Sequence, residues 1–143
     1  MVTEKDIRQY IGALSSKTQK DDSSFLLKIG KFLRTASRDE LSASVIFQIE
    51  SLITKMHRKY EARKIIKELQ DLLDEIKVSA FDLGNKAQND QIDKSFFREI
   101  LNLGNMLIQV SGILKVIALP IILSTAEHAE TIQKLLEDFQ RLN

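Results

Sequence analysis

Apolar residues recur every three or four positions along most of this chain, and almost nowhere do they alternate singly with polar ones. Phe25, Ile29, Phe32, Leu33 and Ala36 make one stripe. Leu41, Val45, Ile49, Leu52, Met56 and Tyr60 make a second, and Ile66, Leu69, Leu73, Ile76, Ala80 and Leu83 a third. Phe96, Phe97, Ile100, Leu103, Leu107, Val110, Leu114 and Ile117 form a fourth, and Ile132, Leu135, Leu136, Phe139 and Leu142 a fifth. Such spacing lines one side of an α-helix. Strands would need alternating runs bounded by turn dipeptides, and no stretch has them. The pattern predicts an all-α fold, a compact bundle of five to six amphipathic helices.

Polar residues mark where these helices begin and end. Thr3, with Asp6 three positions on and Val2 facing Ile7, reads as the cap of a short helix reaching about Leu14. Ser15 to Ser23 is the most linker-like stretch, so residues 1–23 are expected to be a short N-terminal helix and polar linker attached to a single helical-bundle domain, 1–143. Ser37-Arg38-Asp39-Glu40 and Ser124-Thr125-Ala126-Glu127 have the form of capping boxes, each expected to open a helix. Gly84-Asn85 is expected to close one, with Lys86 to Gln91 as a loop and Asp93 capping the next helix. On one continuous helix the second and third stripes would point about 200° apart, at 100° per residue. That mismatch favours a break between Tyr60 and Lys64 over one long helix.

Met106 to Leu123 stands out, because twelve of its eighteen residues are large and apolar and they cover every side of a helix. Gln109, Lys115 and Pro120 interrupt it, and a Lys at mid-bilayer costs about 2.5–3.5 kcal/mol on the insertion scale, so a membrane span is disfavoured. The expectation is a strongly apolar central helix packed by neighbours on all sides. Gly104, Ser111 and Ala118 recur every seven residues along it. This seam of small side chains lets another helix approach closely and is a candidate partner interface.

Composition narrows the chemistry. The 143 residues are 43% hydrophobic and 29% charged, with 21 Lys and Arg against 20 Asp and Glu, which excludes a bulk polycation. With no cysteine there can be no disulfide scaffold, thiolate metal site or cysteine nucleophile. His57 and His128 are the two histidines, and neither lies in a His-Glu-x-x-His or paired Glu-x-x-His arrangement. Phosphate-binding Gly-rich loops and the Gly-x-Ser-x-Gly elbow are also missing. The carboxylates interleave with the apolar stripes as an outer helix face should. An enzyme is not expected, and neither a cofactor nor a small-molecule substrate is implied. The N-terminus has no cationic start followed by an apolar core, so a cytoplasmic protein is expected.

One polar cluster departs from neutrality. Residues 55–67 hold six Lys or Arg against one Glu, at the point where the apolar face changes side. Lys55, Arg58, Lys59, Arg63, Lys64 and Lys67 could meet backbone phosphates, with Tyr60 offering a stacking face. The functional expectation is a non-enzymatic helical interaction module, an adaptor or small subunit of a larger assembly that binds a protein partner or itself. The alternative is a helical nucleic-acid-contact subunit of a ribonucleoprotein complex using that basic elbow. A third reading is a membrane-active bundle that exposes Met106 to Leu123.

Overall fold

The structure is a computed structural model, and it describes residues 2–62, 66–117 and 126–141. Among these the chain forms six α-helices and no strand: α1 (Glu4–Ala13), α2 (Gln19–Thr35), α3 (Ala43–Ala62), α4 (Lys67–Gln88), α5 (Lys94–Ile117) and α6 (Ala126–Arg141). Two short 3₁₀ turns, Leu14–Ser16 and Arg38–Glu40, follow α1 and α2.

Helices α2 to α5 run alternately up and down. Asp22 at the start of α2 meets Lys59 and Tyr60 at the end of α3. Phe47 near the start of α3 lies against Gly84 near the end of α4. Lys86 late in α4 pairs with Glu99 early in α5, and Ser23 of α2 bonds Ser111 late in α5. The predicted break is thus present. α3 ends at Ala62, α4 starts at Lys67, and the two pack antiparallel so that both apolar stripes turn into one core. α1 lies on α3, while α5 packs against α2, α4 and α6. Leu52, Met56, Leu73, Ile76, Leu103 and Leu107 are among the side chains that this arrangement removes from water. Each fully buried Leu or Met contributes about 1.5–3 kcal/mol of transfer free energy.

Caps account for most helix starts. Thr3 Oγ1 accepts from the Asp6 N–H and Asp6 accepts from the Thr3 N–H, as expected, while Val2 and Ile7 are both buried. Asp93 Oδ1 accepts from the Phe96 N–H at 2.9 Å and opens α5. Three boundaries correct the sequence reading. Residues Ser15 to Ser23 are not a linker, because Thr18 and Asp21 form a reciprocal capping box and α2 already begins at Gln19. Ser37 and Glu40 do interact, but they close a 3₁₀ turn; α3 is opened instead by Ser42, whose hydroxyl accepts from the Val45 N–H at 3.1 Å.

Gly84 does not end α4 either. It sits inside the helix, where a Cβ would fall 2.5 Å from the Phe47 ring, so its small size serves helix–helix contact. α4 continues to Gln88 and ends with Asp90 in the left-handed region, φ 55°. The Gln91 N–H donates to the Lys86 carbonyl at 2.8 Å and the Asp90 N–H to that of Ala87 at 3.3 Å, which is a Schellman motif built without glycine. The expected capping box at Ser124 and Thr125 lies outside the described residues.

Candidate functional site

The small-residue seam is real, and α2 fills it. A Cβ on Gly30 would lie 2.6 Å from Ile108 Cγ1 and 2.8 Å from the Gly104 carbonyl oxygen; one on Gly104 would lie 2.9 Å from the Gly30 carbonyl oxygen. One turn pair further on, Ser23 and Ser111 exchange hydrogen bonds, each hydroxyl reaching the other's carbonyl at 2.7 Å. Gly104 and Ser111 are therefore internal packing positions and not a free partner interface, because the matching heptad Ser23 and Gly30 on α2 already occupies the space. Ala118 lies outside the described residues.

The basic elbow divides in a similar way. Lys55, Arg58 and Lys67 are exposed, and Arg63 and Lys64 lie outside the described residues. Tyr60 is wholly buried, so its ring offers no stacking face to a base. It is the last residue of the α3 apolar stripe, and its hydroxyl donates to Asp22 Oδ2 at 2.5 Å. Lys59 keeps only 9% of its side chain exposed and donates to Asp22 Oδ2 at 2.7 Å and to the carbonyls of Leu14 and Lys17 at 2.9 Å each. All three ammonium donors are thus used within the fold, and Lys59 has none left for a phosphate.

Asp22, fully buried, is the centre of this arrangement. Its second oxygen accepts from the Tyr10 hydroxyl, and the Tyr10 ring stacks on Phe25 with centroids 4.0 Å apart. Burial, then the hydrogen bond to Asp22, pushes the Tyr10 phenol far above its ordinary range, so it stays a donor. A buried carboxylate with a lysine and two phenols joins α1, the first 3₁₀ turn, α2 and α3 at one point. Sequence reasoning missed Asp22 by assigning it to a linker. The signal was present, since Asp22 falls in phase with Leu26, Ile29 and Leu33 once Thr18 is taken as the cap.

Two surface grooves adjoin this framework. The larger, about 990 Å³, runs between α4 and α5. The Lys86–Glu99 ion pair, 2.8 Å, crosses one end, and Gln140 of α6 lines the other. The hydrogen bond from Lys86 to Glu99 holds the lysine pKa above its ordinary value. Between the ends, Asn102, Asn105 and Gln109 present amides that have no hydrogen bond among the described residues, beside Val78 (53% exposed) and Met106. Glu75 and Asp82, seven positions apart on α4, edge the groove and take part in no ion pair among the described residues. The smaller groove, about 470 Å³, separates the end of α1 from α3.

Among the described residues no group of three or more His, Asp or Glu is placed to hold a metal ion, and no helix is long and apolar enough to cross a membrane. Comparisons with protein-family models, with curated proteins and with solved structures found no match to this chain.

Proposed function

We propose that this protein is a non-enzymatic helical interaction module, an adaptor or small subunit of a larger assembly, and that the α4–α5 groove is its contact surface. α5 serves as the apolar axis, and α4 stands on it with its outer face free. The observation that carries the reading is the pairing, in one groove, of three solvent-accessible amides that make no hydrogen bond among the described residues with the half-exposed Val78. Amides of this kind give and accept hydrogen bonds with a peptide or with polar helix side chains, while covering an exposed apolar side chain such as Val78 adds transfer free energy to the contact. Glu75 and Asp82 add the sign of the partner. The occupant is an amphipathic helix of another protein, with an apolar residue on Val78 and Met106 and Lys or Arg facing the two carboxylates.

A photo-crosslinking amino acid at Val78 tests this in the cells that make the protein. A discrete protein adduct is expected, lost when Asn105→Arg blocks the groove and weakened by Glu75→Lys with Asp82→Lys. The same crosslinker at Lys20, exposed near the start of α2, should give none. An adduct at Val78 that survives Asn105→Arg and the charge reversals would overturn the assignment. An adduct of twice the chain mass would replace the foreign partner with a second copy.

A further inference from the structure

The smaller groove carries a second, independent site. Its walls are Ile11, Leu14 and Ser15 on one side and Lys55, Arg58 and Lys59 on the other. Lys59 is already committed to Asp22 and to the Leu14 and Lys17 carbonyls, and this anchors the 3₁₀ turn Leu14–Ser16 to α3 and fixes the width of the opening. Lys55 and Arg58 are different. They are exposed, three residues apart on α3, and have neither an ion pair nor a hydrogen bond among the described residues. Side chains at that spacing start about 5–6 Å apart on one side of a helix. The Ser15 hydroxyl, exposed and likewise without a hydrogen bond among the described residues, faces the same opening.

The two cations that line this groove span a single helical turn and so match one anionic group, whereas a nucleic acid draws its affinity from a long row of phosphate contacts. A guanidinium grips a carboxylate or phosphate with two parallel bonds, and the ammonium beside it adds a point charge. The remaining wall, however, is the hydrocarbon of Ile11 and Leu14. Leu14 is itself buried, so the part still open is chiefly Ile11; a bare ion would leave it uncovered, whereas a short chain attached to the anion would lie along it. We infer that the groove between α1 and α3 binds an anionic amphiphile, with its carboxylate or phosphate head between Lys55 and Arg58 and its acyl chain along Ile11.

The full chain is titrated with decanoate below its micelle-forming concentration, and with acetate, inorganic phosphate, a uridine-rich RNA oligonucleotide and vesicles with or without phosphatidylglycerol. Amide and methyl NMR signals report the site. Decanoate should shift Ile11, Leu14 and Ser15 saturably, with acetate and phosphate at least tenfold weaker. Arg58→Glu and Lys55→Glu should each weaken decanoate on the order of tenfold, the loss typical of a hydrogen bond to a charged group, while Arg58→Lys keeps part of the affinity. Both positions are exposed, and an unchanged melting curve separates lost binding from lost fold. Binding only to phosphatidylglycerol vesicles, and lost in Arg58→Glu, would identify the amphiphile as a membrane lipid. Equal binding of acetate and decanoate, tighter binding of RNA than of decanoate, or insensitivity to both charge reversals would each overturn the proposal.

Discussion

Asp22 and Lys59 show how much one residue's surroundings decide. Each would cost several kcal/mol if buried alone, and their attraction offsets this because the carboxylate also accepts from Tyr10 and Tyr60 and the other two ammonium protons go to two backbone carbonyls. Removing one partner leaves the other charged in the interior. Asp22→Ala should therefore destabilise the fold by about 3–5 kcal/mol in urea denaturation. Removing both charges with apolar residues of similar size, Asp22→Leu with Lys59→Met, should recover part of that loss, the remainder being the acceptor that the two tyrosines lose. If the double variant is no more stable than Asp22→Ala, the carboxylate matters chiefly as acceptor for the two tyrosines. The ion pair would then be secondary.

At the scale of elements, caps set where helices start, and several of them titrate. The backbone N–H of Thr3, Thr18 and Ser37, then their hydroxyls, lower the pKa of Asp6, Asp21 and Glu40. A carboxyl whose folded-state pKa lies below its unfolded value, about 3.9 for Asp and 4.3 for Glu, stabilises the fold above that unfolded value. The contribution is lost as pH falls through the lower folded-state value. Asp21→Asn should thus cost stability at neutral pH and flatten the acid limb of a pH–stability curve followed by circular dichroism. An acid limb parallel to wild type would show that the Asp21 carboxylate is not part of it. These caps also explain what was legible in the sequence. Thr3 lies between Val2 and Ile7, and Asp93 stands three positions before Phe96 and Phe97, so both could be read. Thr18 stands amid Lys, Gln and Asp, so its helix start looked like a linker and hid Asp22. Gly84 was misread because a glycine chosen for close approach to Phe47 resembles one chosen for a turn, and the actual left-handed residue is Asp90. The break after Ala62 was legible from the opposed stripes alone. The α4–α5 groove was not, since Asn102, Asn105 and Gln109 look like ordinary polar positions until two helices bring them to one cleft.

Across the whole molecule, the α2–α5 seam sets how closely the bundle can pack. At Gly30 an added methyl would press on the Gly104 carbonyl, which belongs to backbone and cannot rotate away. Gly30→Ala should cost about 1–3 kcal/mol, as overpacking does, and Gly104→Leu more. The seam also joins distant parts of the chain, Ser23 and Ser111 being 88 positions apart, whereas α3 and α4 are joined by a short connection. Closing the longer loop carries the larger entropy cost. In stopped-flow kinetics Gly30→Ala should therefore speed unfolding and leave the refolding rate nearly unchanged. Slowed refolding with an unaltered unfolding rate would place the seam in the transition state instead. The same separation orders events on the ribosome. α2 is synthesised with its seam face complete, yet α5, the helix that covers that face, is translated only after both α3 and α4, so the nascent chain carries an uncovered α2 while those two helices are made.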